Sequence, residues 1–174
     1  MIHVGIMGAT GYAGLELTRI LSAHPSVVIE KLGSESSAGQ SVGSLYPQLT
    51  GLADRVFEKM DPPVWADACD VIFTCLPHGV SAETVALLAP YGKPVIDLSG
   101  DYRYDDPAVY AQWYGMAHPH PDLLAGAVYG LTELYRDAVK DAQIIGNPGC
   151  YTTCSILGLT PAIAAGLVNT GDIV

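Results

Sequence analysis

Apolar positions along the chain fall into short continuous runs and longer stretches at helical spacing, and the two kinds alternate. Ile2 to Met7 is the first run, after which Leu15, Leu17, Ile20 and Leu21 recur with helical periodicity as far as His24-Pro25-Ser26. Proline cannot continue a helix and biases the residue before it toward extended backbone, so the first helix is expected to stop there. Val27 to Leu32 predicts a second strand. After its opening aspartate, Asp70 to Leu76 is apolar but for Thr74, as expected of a strand covered on both faces; Ser81 to Leu88 has the spacing of a crossover helix, and Pro94 to Leu98 repeats the strand signal. Ala142 to Ile145 predicts a last central strand. A final helix opens at Gly149 or Cys150 and runs through Ile156, Leu157 and Leu159, with Pro161 a point at which it can kink.

The segments between these elements are rich in turn formers. Gly33 to Gly39 and the stretch onward to Thr50 carry small polar residues and read as loop or short irregular structure. Ser99 to His120 mixes Tyr, Pro and Asp without periodicity, which predicts a loop with one short helix near Pro107 to Tyr114. Strands alternating with helices imply parallel pairing through right-handed crossovers, and hence a Rossmann-like, doubly wound, mainly parallel α/β sheet. After Gly166 another apolar segment, Asp172 to Val174, reads as the start of a strand. Residues 1–168 are therefore expected to form one domain and residues 169–174 the beginning of a second.

Composition narrows the partners. With 174 residues, 49% of them hydrophobic, the chain has material for one sizeable core. A net charge of −10 with eight scattered Lys and Arg excludes the clustered cations of a nucleic-acid binder. The apolar runs, such as Val71 to Leu76, are too short to cross a bilayer, and Met1 to Met7 has neither the charged start nor the long apolar stretch of a signal peptide. A cytoplasmic protein without a membrane partner is expected. The four cysteines read as reduced thiols, with Cys69 and Cys75 flanking an apolar strand as core residues. His118 and His120 lack companions that would complete a metal site, so no metal is expected.

Two segments carry candidate chemistry. Gly8-Ala9-Thr10-Gly11-Tyr12-Ala13-Gly14 lies between the first strand and the first helix, where the missing Cβ atoms let backbone N–H groups approach a pyrophosphate at a helix N-terminus. Near the end of the second strand stand Ser34, Glu35, Ser36 and Ser37. Serine hydroxyls suit a 2′-phosphate and a carboxylate opposes one, so these residues leave NAD and NADP open. Late in the chain, Asn147-Pro148-Gly149-Cys150 opens the last helix. The positive end of a helix lowers a thiol from its ordinary pKa of roughly 8.5, which makes Cys150 a candidate nucleophile; the alternative is a buried core thiol.

Five segments in order resemble the N-acetyl-gamma-glutamyl-phosphate reductase family: GATGYAGLEL from Gly8 to Leu17, LPHG from Leu76 to Gly79, DLSGDYR from Asp97 to Arg103, YGLTEL from Tyr129 to Leu134, and GNPGCYTT from Gly146 to Thr153. The resemblance implies NADP(H) held at Gly8 to Gly14, with Ser34 and Ser36 at the second strand and Leu76, Pro77, His78 and Ser99 along the nicotinamide side. It implies that Cys150 attacks a small acyl phosphate, that phosphate leaves, and that hydride reduces the resulting thioester. Arg103 suits the substrate phosphate through a bidentate contact, the alternative being a surface ion pair with Asp101 or Asp105. Asn147 is assigned either to that phosphate or to capping the last helix. Family members are considerably longer than this chain and generally form homo-oligomers. The resemblance therefore covers only their N-terminal part and places the acid/base histidine beyond Val174, so that little turnover is expected of the chain alone. Aspartate-semialdehyde dehydrogenases usually carry asparagine where this chain has Gly149 and are a weaker match. A reductase of carrier-linked aminoadipyl phosphate and a non-catalytic nucleotide-binding module are the other readings.

Overall fold

The computed structural model describes residues 1–173. Six strands, β1 (Ile2–Met7), β2 (Val27–Gly33), β3 (Val71–Thr74), β4 (Val95–Asp97), β5 (Ala127–Tyr129) and β6 (Ile144–Gly146), form one sheet in the order β2-β1-β3-β4-β6-β5. Every pairing is parallel. The expected Rossmann-like sheet is therefore present.

Helices cover both faces: α1 (Tyr12–Ser22), α2 (Val42–Leu45), α3 (Pro62–Ala68), α4 (Val80–Leu88), α5 (Pro107–Tyr114), α6 (Thr132–Asp141) and α7 (Cys150–Ala164). A parallel sheet must bury both of its faces, and two clusters of buried residues do so here. One joins Met7, Ile72, Val85, Leu88, Val95 and Ile144 to Trp65 and Tyr102. The other gathers Val4, Ile6, Ile29 and Leu32 with Val42 and Phe57. Among the described residues no helix is long and apolar enough to cross a membrane.

The short helix expected near Pro107 is α5, capped by Asp106, whose carboxylate accepts from Ala108 N–H at 2.7 Å. Four of the named elements lie outside the sequence reading. Helix α2 is a single turn inside the stretch read as loop, where the Ser41 hydroxyl accepts from Ser44 N–H and caps it. Helix α3 begins at Asp61-Pro62-Pro63 with the Asp61 carboxylate as its cap, and it carries the fully buried Trp65. Strand β5 is three half-buried residues at the sheet edge, and α6 has no buried residue. The strand expected at Asp172 is replaced by a 3-10 turn over Thr170–Asp172, because the Asn169 side chain accepts from Gly171 N–H and turns the chain; Val174 lies outside the described residues.

The chain turns one way from β1 to β2 and the other way from β1 to β3, so the sheet has its switch point at the C-terminal ends of β1 and β3. Ligands of such sheets bind in the crevice that opens there.

Candidate active site

The loop after β1 occupies that switch point. Gly8 has φ of +85°, and a Cβ on it would collide with the Cys75 carbonyl; a Cβ on Gly14 would collide with the Gly8 carbonyl. The turn is thus packed backbone against backbone. Gly8 N–H and Ala9 N–H both donate to Gly33 O, at 3.1 and 2.8 Å, which ties the loop to the end of β2. Gly11 caps α1 without a side chain, so the first-turn amides that include Tyr12 and Ala13 are left for a ligand. Tyr46 Oη–H, which the sequence reading passed over, donates to Thr10 O at 2.6 Å and pins the loop from outside.

Hydroxyls gather beside it. Thr10 Oγ1 is 2.9 Å from Ser34 Oγ, Ser36 Oγ is 3.5 Å from Ser34 Oγ, and Ser37 N–H donates to Ser34 Oγ. Glu35 faces elsewhere: its Oε1 accepts from Met60 N–H at 2.9 Å. These features, a cradle that side chains would fill and uncapped amides beside a hydroxyl cluster, fit a dinucleotide.

Across the switch point, the Leu76–Gly79 turn leads from β3 into α4, with His78 half-exposed and its Nδ1 accepting from Gly100 N–H at 2.9 Å. Ser99 looks inward. Its hydroxyl donates to Asp97 Oδ2 at 2.6 Å and accepts from Asp101 N–H at 3.0 Å.

Cys150 is the first residue of α7 and is exposed, so the buried-thiol reading does not describe it. Cys69 and Cys75 behave as expected of core thiols. Burial pushes the Cys69 thiol up to about 11, and burial with the nearby Asp97 charge pushes Cys75 up to about 12. Cys150 sits on the rim between two hollows. One, of about 540 Å³, is lined by Arg103, Tyr104, Tyr114, Tyr129 and Thr152; the other, of about 460 Å³, by Thr132, Glu133, Asn147 and Thr153. Arg103 reaches the first hollow with its guanidinium already oriented, Nε donating to Asn147 O at 2.7 Å and Nη2 to Leu98 O at 3.2 Å.

That arrangement corrects the surface ion-pair alternative. Asp101 is fully buried and bonds elsewhere, and Arg103 is held by backbone carbonyls. Asn147 does not cap the helix. Its N–H donates to Asp97 O at 2.8 Å and extends the sheet, and Gly149 is the cap residue two positions later.

The aromatic wall was not legible in the sequence. Tyr114 lines the Cys150 hollow, its ring centroid lies 4.9 Å from that of His78, and burial raises its hydroxyl above the ordinary tyrosine value. One side chain therefore separates the β3–α4 turn from the thiol's hollow. Its signal was only the last position of a short helix in a tyrosine-rich stretch without periodicity.

Known proteins resemble the chain over its whole length. It is 45% identical over 174 residues to an N-acetyl-gamma-glutamyl-phosphate reductase of Halothermothrix orenii and 48% identical to one of Geobacter sulfurreducens, covering 100% of this chain and 50% of each relative. The chain thus spans about half the length of the curated relatives it matches. Among solved structures, an aspartate semialdehyde dehydrogenase with NADP from Candida albicans superposes with a TM-score of 0.70 at 22% identity, over 97% of this chain and 48% of that one. A Vibrio cholerae aspartate semialdehyde dehydrogenase II gives 0.67 at 21% identity, over 95% and 47%. At such identities these two speak for the fold. The family model for the semialdehyde dehydrogenase NAD-binding domain matches residues 3–142, and with the glycine turn at the switch point and the parallel sheet around it, the chain belongs to that family.

Proposed function

We propose that this chain is the cofactor-binding half of an NADPH-dependent reductase that converts N-acetyl-L-glutamyl 5-phosphate to N-acetyl-L-glutamate 5-semialdehyde and phosphate, with Cys150 as the nucleophile. The carrying observation is that Cys150 and Arg103 share one hollow whose wall, Tyr114, packs on His78 of the β3–α4 turn. The names of the relatives that match across all 174 residues point the same way.

Residues Gly8 to Gly14, with the first-turn amides of α1, take the pyrophosphate. Thr10, Ser34 and Ser36 take the 2′-phosphate, and Glu35, drawn onto Met60 N–H, leaves that space without an opposing carboxylate. Leu76, Pro77 and His78 border the nicotinamide, and Ser99, bonded to Asp97 and to Asp101 N–H, fixes the loop whose Gly100 N–H reaches His78. When bound, NADPH supplies the hydride that reduces the acyl group on sulfur.

The remaining steps belong to the chain's own residues. Cys150, as thiolate, attacks the acyl carbonyl; the carbon–phosphate oxygen bond breaks, and phosphate leaves from a position held by Arg103. Backbone N–H groups at the start of α7 stabilise the oxyanion of the tetrahedral stage, and the helix end favours the charge on sulfur. Residues 1–168 act as this half, and residues 169–174 lead into a substrate domain that provides the acid/base group. The half chain is therefore acylated readily and turns over slowly.

Two measurements test the reading. Acetyl phosphate should place one acetyl group on Cys150, read by peptide mass spectrometry and absent in Cys150→Ala, and NADPH fluorescence should titrate to saturation. Acetylation that ignores the Cys150 substitution would sink the nucleophile; a flat NADPH titration would sink the cofactor site.

A further inference from the structure

Two carboxylates, Asp97 and Asp101, are fully buried, and among the described residues neither has a lysine or arginine partner. A buried carboxylate persists only where hydrogen-bond donors replace its hydration. Asp97 is supplied by Thr74 at 2.8 Å, by Ser81, and by Ser99 through its N–H at 3.1 Å and its hydroxyl. All of those donors belong to the sheet end and its flanking elements, so Asp97 consolidates the fold.

Asp101 is different, because its donors come from separate walls of the crevice. Oδ2 accepts from Gly79 N–H at 2.8 Å and from Ala82 N–H at 2.9 Å, which fixes the turn where Gly79 takes φ of +77° and α4 begins. Oδ1 accepts from Tyr110 Oη–H at 2.9 Å and lies 3.5 Å from His78 Nδ1. Tyr110 stacks on Tyr114 with ring centroids 4.8 Å apart, and Tyr114 in turn lines the hollow of Cys150. His78 Nδ1 accepts from Gly100 N–H, so the ring proton of the neutral imidazole belongs on Nε2, the nitrogen turned away from that bond.

We propose that Asp101 is a positioning residue for hydride transfer, a buried carboxylate that holds the Leu76–Gly79 turn, and His78 with it, in register with the Tyr110–Tyr114 wall beside Cys150. The inference rests on the reading that NADP(H) lies along this turn. Asp101 is fully buried, and it acts through the Gly79 and Ala82 amides and the Tyr110 hydroxyl. A carboxylate whose only duty was to cap α4 would need Oδ2 alone, and its loss would not reach the imidazole or the thiol.

The test uses Asp101→Asn, Asp101→Ala and Tyr110→Phe in this chain, with thermal melts to establish folding, NADPH titration, acetylation of Cys150 by acetyl phosphate, and nitrogen-15 resonances of His78. Asparagine keeps a carbonyl for Gly79 and Ala82, whereas alanine removes the whole anchor. Asp101→Ala should raise the NADPH Kd about tenfold, since it leaves the Gly79 and Ala82 amides without their acceptor, and Asp101→Asn by less. In both, the His78 resonances should shift because the carboxylate oxygen 3.5 Å from Nδ1 is lost or neutralised, while the ring keeps the Nε2–H tautomer set by Gly100 N–H. If Asp101→Ala does not fold, Tyr110→Phe cuts only the Oδ1 arm; it should shift the His78 resonances and slow Cys150 acetylation while leaving the NADPH Kd within about twofold. His78 resonances that stay put in folded Asp101→Asn or Tyr110→Phe overturn the proposal, as does an unchanged Kd in folded Asp101→Ala. A wild-type chain that binds no NADPH defeats the cofactor reading instead, and the two failures are told apart by that control.

Discussion

Alkylation by iodoacetamide at pH 8 separates the four thiols on physical grounds, because thiolate rather than thiol is the reacting species. An ordinary thiol, with a pKa of roughly 8.5, is about one quarter ionised at that pH. Burial pushes Cys69 up to about 11 and Cys75 up to about 12, so at pH 8 about one molecule in 10³ and one in 10⁴ carries the thiolate at these positions. Ionisation alone therefore slows Cys69 about 200-fold and Cys75 about 2,000-fold relative to an ordinary thiol, before burial of the sulfur adds steric protection. The sign is fixed by the cause: desolvation penalises the charged form of an acid and leaves the neutral thiol in place. Cys150 and Cys154 are both exposed, yet only Cys150 sits in the first turn of α7, where the helix end acts most strongly on a negative charge. The expected order is Cys150, then Cys154, then the two core thiols far behind, followed site by site by peptide mass spectrometry. Labelling of Cys154 at the rate of Cys150 would refute the helix-end argument. Labelling of Cys69 or Cys75 within tenfold of Cys150 would refute the burial argument.

Trp65→Ala should destabilise the chain by about 3–5 kcal/mol in urea denaturation, since Trp65 is 1% exposed and its ring lies against Gly5 and Gly33 under the sheet. Arg103→Lys should slow Cys150 acetylation and cost about 1–3 kcal/mol of stability, because lysine cannot satisfy the Asn147 and Leu98 carbonyls together. His118 is buried, its Nε2 has no partner among the described residues, and desolvation lowers its pKa, although Asp101 opposes the shift. Its folded value thus lies below the unfolded one of about 6.5, so the unfolded chain binds a proton that the native chain refuses. Stability should fall as the pH drops below about 6.5 toward the folded value, and His118→Phe should flatten that part of the melting-temperature profile.

Much of this architecture is written in local pattern. The runs at Ile2 to Met7 and Val27 to Leu32 became β1 and β2, and the short helix expected near Pro107 is α5, whose Asp106 cap followed by proline is visible in the sequence as well. Asp61-Pro62 carries the same signature, but α3 is only seven residues long and offers little periodicity around Trp65. Strand β5 was beyond pattern reading, since three half-buried residues between Gly126 and Gly130 make no run. Of the site, the glycine turn and Cys150 were legible because each is a contiguous motif. Asp101 was not: its partners Gly79, Ala82 and Tyr110 stand 22, 19 and 9 residues away. Charge counting sends such an aspartate to the surface beside Arg103, and only the folded chain shows it accepting bonds from three directions.

Helix α7 has fifteen residues and none of them is buried. Isolated helices of roughly that length are marginal in water, and Pro161 removes one of the internal hydrogen bonds. Its amide protons should therefore exchange with solvent on the schedule of local fraying, while those of β1 wait for opening of the sheet. The fraction of time that the helix is wound then multiplies every rate measured at its first residue. Any ligand or segment that holds the helix closed should make Cys150 a faster nucleophile without touching the sulfur.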